Sequence, residues 1–253
     1  MHSPASLAST ITAFIVKLRH FELSIPARGV WLTARLAHSP AARGLIVVLQ
    51  TAMNPLIRQR ENLITGVLQR AGYATFALDL LTDAEEQRDP DARYNIARLT
   101  ERTLSAIEWL RFQPGTMMLP VGVLASDTAS TAGIRAATRD PGHINALCLF
   151  GGRPDLAGAA PLKALRVPTC FIVGKEDPRA PILREAFDLI PAIRAWRATD
   201  GAEPEHLPAS YLAANAKLAA EWLLTHLPVR PAPEDLPATE EPPPVTVAVP
   251  PPS

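Results

Sequence analysis

Residues 120–133, PVGVLASDTASTAG, decide how this chain folds. The apolar half, Val121 to Leu124, reads as a buried strand, and the small and hydroxylated residues after it pass into a helical pattern. A strand that runs into a helix through Ala125, Ser126, Asp127, Thr128 and Ala129 must bend sharply. Small side chains on either side leave room for that bend, and Asp127 stands at its apex.

Working outward, the same alternation repeats. From Phe21, FELSIPARG and VWLTARLAHS read as an antiparallel hairpin punctuated by Gly29 and Ser39-Pro40. GLIVVLQ (44–50) is a continuous β-branched run of the kind buried on both faces in a parallel sheet. A helix follows from Pro55, with Leu56, Ile57, Leu63, Ile64, Val67 and Leu68 at helical spacing until Gly72. YATFALDLL (73–81) is a strand, DAEEQRDPDAR an exposed loop, and 94–112 a long amphipathic helix. Beyond the bend come a helix over 127–138, the strands NALCLFGG (145–152) and PTCFIVG (168–174), and a short helix around 182–189. The strand IRAWRATD (193–200) and a helix over 210–226 complete the series. The pattern predicts an α/β fold, a mostly parallel doubly wound sheet with helices on both faces, whose functional groups lie at the carboxyl ends of the strands.

The 253 residues are 47% hydrophobic, which is enough for one sizeable core, and no apolar run approaches the ~18 residues of a membrane span. Twenty-five basic residues balance 25 acidic ones, so no electrostatic footprint for nucleic acid or an anionic membrane is present. Cys148 and Cys170 lie inside apolar runs and read as buried free thiols; their spacing suits neither a metal nor a redox site, and no cofactor is expected. Residues 1–20 carry Lys17 and Arg19 after their apolar part, the reverse of a secretory signal. They read as an N-terminal amphipathic segment, and a cytoplasmic location is the expectation. The Ala-, Pro- and Arg-rich composition suggests a bacterial source.

The folded domain is expected over 21–227. Ten of the 26 prolines fall in 228–253, so this stretch lacks the apolar area to offset ordering and reads as a disordered, Pro-rich tail. Inside it Val245-Thr-Val-Ala-Val249 is either linker or a short peptide that adds to a partner as an edge strand. A protein partner would attach through this tail or through the N-terminal segment.

The segments GLIVVLQ, DLLT (79–82), PVGVLASDTAS, GGRPDLAG (151–158), PTCFIVGKED (168–177) and EHL (205–207) together resemble the α/β-hydrolase superfamily, specifically its dienelactone hydrolase-like branch without a cap domain. The resemblance covers 21–227. It implies a triad in the chain order nucleophile, acid, histidine, whose positions Asp127, Asp177 and His206 occupy. The oxyanion-hole positions fall at Thr51 and Thr128.

Three departures stand against ordinary esterase chemistry. An aspartate occupies the serine position, so no alkoxide forms there. Gln50-Thr51-Ala52-Met53-Asn54 replaces the His-Gly loop whose glycine turns a backbone N–H toward the oxyanion. Both glycines of the bend are alanines, which makes the tight turn harder. Two function classes follow. The first is a catalytically degenerate relative, a pseudoenzyme retained as a binding, scaffolding or accessory protein. The second is a hydrolase of small esters, lactones or haloacids in which Asp127 acts with His206 and Asp177. A nucleophile shifted to Ser126 or Ser130 would need the bend moved off the register set by Pro120 and Gly151.

Overall fold

A computed structural model describes residues 18–51, 55–201 and 208–228. The sequence expectations for 1–17, for the loop 52–54, for His206 and for the tail from 229 onward lie outside the described residues.

Eight strands form one sheet in the order β1-β2-β4-β3-β5-β6-β7-β8. β1 (Arg19–Ala27) and β2 (Val30–His38) are the expected antiparallel hairpin, and β2 pairs antiparallel with β4 (Ala74–Asp79). From β4 across to β8 (Arg194–Thr199) every pairing is parallel, through β3 (Leu45–Gln50), β5 (Val121–Ser126), β6 (Ala146–Phe150) and β7 (Thr169–Gly174).

The continuous apolar runs follow from burial on both faces. Ile46, Val48, Leu124, Cys148 and Ile172 pack beneath α7 (Ala209–His226), with α1 (Pro55–Arg70) on the same face. Their chain neighbours Val47, Leu49, Val123, Leu147 and Phe171 belong to the core on the other face, under α3 (Ile96–Arg111), α4 (Asp127–Arg139) and α6 (Ala180–Asp188). Period-two alternation inside an unbroken apolar run therefore serves two helical layers at once.

One expectation is corrected. DAEEQRDPDAR is not a loop: it forms α2 (Asp83–Arg88) and a 3-10 turn over Pro90–Tyr94. Thr82 and Glu85 make a capping box. The Thr82 hydroxyl accepts the Glu85 N–H at 3.3 Å, and the Glu85 carboxylate accepts the Thr82 N–H at 3.0 Å. Glu85 also takes two bonds, at 2.8 and 2.6 Å, from the guanidinium of buried Arg102 on α3, which ties this charged segment to the core. A short helix, α5 (Ala159–Ala164), completes the set.

Candidate active site

Thr51, Asp127 and Asp177 all lie just past the carboxyl ends of parallel strands, where this kind of sheet places its ligands. Thr51 follows β3, Asp127 follows β5, Gly151, Gly152 and Arg153 follow β6, and Asp177 follows β7.

The bend itself is sharp. Ser126 is still extended, with φ −130° and ψ 177°, and Asp127 already has φ +44°. An L-residue held there costs about 1–2 kcal/mol, an amount that aspartate tolerates better than bulkier residues. The loop after β6 holds it in place. The Asp127 carbonyl accepts the Arg153 N–H at 3.1 Å and the Ser130 hydroxyl at 2.6 Å, and the Ser130 oxygen also accepts the Arg153 N–H at 2.9 Å. Gly152, at φ +84°, makes this contact sterically feasible: a Cβ there would lie 2.5 Å from Ser130 Oγ and 2.8 Å from the Asp127 carbonyl oxygen. The Thr131 hydroxyl donates to the Arg153 carbonyl and closes the clamp. Ala125 and Ala129, both fully buried, flank the turn without preventing it.

The Asp127 side chain meets the first loop. Thr51 Oγ1 donates to Asp127 Oδ2 at 3.3 Å, so one expected oxyanion position is in contact with the apex residue. Both line a cleft of about 130 Å³ with Ser126, Glu61, Arg60 and Arg93. Behind it lies a buried polar network that sequence reasoning missed. Gln50 Nε2 donates to Glu61 Oε2 at 2.8 Å, and Arg35 donates to Glu61 Oε1 at 2.8 Å and to both Asp79 oxygens at 3.1 Å. Burial pushes the Asp79 carboxyl above its usual range, and Arg35 pulls it back only in part. Because Gln50 is anchored, the chain reaches Thr51 from a fixed point. A lone arginine in the LTARLA strand and an acid inside the first amphipathic helix were the available signals.

Thr128, the other expected oxyanion position, is fully buried in the first turn of α4, and its hydroxyl has no partner among the described residues. Asp177 ends the turn after β7, with its carboxylate buried. That carboxylate accepts the backbone N–H of Arg179 at 2.9 Å and its guanidinium Nε at 3.2 Å. One strand, β6, lies between β5 and β7, so the ends carrying Asp127 and Asp177 stand roughly 10 Å apart.

Cys148 and Cys170 face each other in register across β6 and β7 and are free thiols. Burial pushes the Cys170 thiol up to about 12 and Cys148 well above its usual value, which removes both as thiolate nucleophiles. Among the described residues no group of His, Cys, Asp and Glu is arranged to hold a metal ion, and no helix is long and apolar enough to cross a membrane.

The strand order, the clamped bend after β5 and the loops gathered at one edge define an α/β-hydrolase fold. No family model matches the chain. A dienelactone hydrolase from Anabaena variabilis superimposes with a TM-score of 0.78 at 30% identity, covering 83% of this chain and 99% of that one. The chain belongs to the dienelactone hydrolase family. A dienelactone hydrolase-like promiscuous phosphotriesterase from metagenomic libraries shares the fold with a TM-score of 0.65 at 13% identity, over 83% of this chain and 99% of that one. In two strains of Mycobacterium tuberculosis, a protein whose name proposes a phosphoribosyl transferase is 33% identical over 211 residues, 83% of this chain and 47% of that protein. The chain thus spans about half the length of the curated relatives it matches.

Proposed function

We propose that this member of the family is catalytically degenerate and acts as a binding or accessory protein. On this reading the cleft beside Asp127 takes a small ligand without turning it over, and either segment 1–20 or segment 228–253 provides attachment to a protein partner. The observation that carries the reading is the pairing of Asp177 with Arg179. A triad acid works by orienting an imidazole and stabilising the imidazolium that forms. A carboxylate already neutralised by a guanidinium two residues along the chain offers less of that support. An aspartate at the apex puts a carboxylate where an esterase needs a hydroxyl that becomes a nucleophile, and the segment 50–54 lacks the glycine that would turn an oxyanion donor into place. The test is a turnover assay on activated esters, enol-lactones and haloacids. No hydrolysis above buffer is expected, and hydrolysis that disappears in Asp127→Asn would overturn the reading.

A second reading rests on the backbone of Asp127. Strain at a non-glycine residue persists where surrounding structure imposes it, and such residues cluster at working sites. In this alternative the Asp127 carboxylate attacks carbon and forms a covalent intermediate, an ester with halide expelled from a haloacid or a mixed anhydride with alkoxide expelled from a small ester or lactone. His206, supported by Asp177, then activates water to cleave it. The phosphoribosyl transferase name belongs to a protein about twice as long as the matched segment, and no part of either reading rests on it.

A further inference from the structure

The apolar groove at the opposite end of the sheet from Asp127 is the strongest feature that the site leaves unused. It has a volume of about 340 Å³ and is lined by Ile107 and Leu110 of α3, by Met117, Met118 and Leu119, and by Pro228. Met117 and Met118 are 53% and 57% exposed. Two adjacent large apolar side chains are thus displayed on the groove wall, and methionines suit a site that must adapt to an irregular occupant.

We propose that the chain's own Pro-rich segment 229–253 docks in this groove, anchored by Val245, Val247 and Val249. Three observations select this occupant. The last described residue, Pro228, is itself part of the groove wall, so the segment starts at the site it would fill. The sixteen residues between Pro228 and Val245 can span up to about 50 Å as extended polyproline II, ample for a return to the groove. Arg111 on the groove wall is cationic, whereas the segment holds Glu234, Asp235, Glu240 and Glu241 against one arginine, Arg230. Tethering raises the effective concentration to the millimolar range, so a weak contact suffices. The proposal does not depend on the reading of the Asp127 site, and docking would leave segment 1–20 as the attachment to a protein partner.

Methionine oxidation tests it in the full-length protein. Sulfoxide formation at Met117 and Met118 under dilute peroxide is followed by peptide mass spectrometry in the parent and in a full-length variant carrying Val245→Asp, Val247→Asp and Val249→Asp. The substitutions lie outside the described fold, and an unchanged thermal transition checks that the domain is intact. Docking predicts at least about fivefold faster oxidation of both methionines in the variant, with rates independent of protein concentration. Equal rates in the two proteins would overturn the proposal. Protection that grows with concentration and survives the substitutions would also overturn it, because a second copy would then be the cover.

Discussion

The buried carboxylate of Asp177 is bound by Arg179 through both the backbone N–H, at 2.9 Å, and the guanidinium, at 3.2 Å. The pair lies between β7 and α6 and leads the chain into the helix. A double-mutant cycle measures it. Asp177→Asn and Arg179→Met should each cost about 1–3 kcal/mol in urea denaturation, and the double variant should cost less than their sum by at least ~0.5 kcal/mol. Strict additivity would show that the pair is not coupled.

The contact between the loop after β6 and the bend sets a second expectation. In Gly152→Ala the added Cβ meets Ser130 Oγ and the Asp127 carbonyl at under 3 Å, and the residue is also left at φ +84°. A loss of about 2–4 kcal/mol should follow, seen as a lower denaturation midpoint at unchanged slope. A midpoint within error of the parent would mean that the clamp yields easily.

Strain at Asp127 can be tested by changing only what the backbone tolerates. Asp127→Gly should be at least as stable as the parent, because glycine accepts φ +44° freely, whereas Asp127→Val should lose about 2 kcal/mol. Equal stability of the two variants would show that the bend relaxes when its apex changes.

The pairing of Glu85 with Arg102 predicts a pH dependence. Hydrogen bonds from Arg102 hold the Glu85 carboxyl down to about 2, against 4.5 for the free group. A depressed carboxylate contributes stability that is fully present above the unfolded value and is lost as pH falls through the folded one. Unfolding free energy should therefore decline between pH 5 and pH 2, and Glu85→Gln should flatten that decline while lowering stability at pH 7 by about 1–3 kcal/mol. A variant with the parent's full acid sensitivity would remove Glu85 from the account.

The parallel strands were legible because burial on both faces demands unbroken β-branched runs, as in LIVVLQ and TCFIVG. Their order in the sheet was not, since hydrogen-bond partners across β3, β4 and β5 leave no local trace. The charged segment 83–94 looked like a loop because it lacks an apolar stripe. Its signal was Thr82-x-x-Glu85, a capping box, and its stabilising contact with Arg102 lies 17 residues away. At the site, Asp127 and Thr51 were singled out by the resemblance to the hydrolase family, and their side chains are in contact. Ala125 and Ala129 flank the bend without preventing it, and the positive φ falls on Asp127 between them. The Arg35–Glu61–Asp79 network was not legible, since it joins three distant segments through side chains alone.

The most direct test of the degenerate reading is intact-mass spectrometry of the parent and of a His206→Gln variant after incubation with activated esters and haloacids. The variant would trap any ester on Asp127 that His206 normally clears. The account predicts unmodified masses for both proteins. A stoichiometric adduct on the peptide containing Asp127, absent in Asp127→Asn, would contradict it and establish Asp127 as a nucleophile.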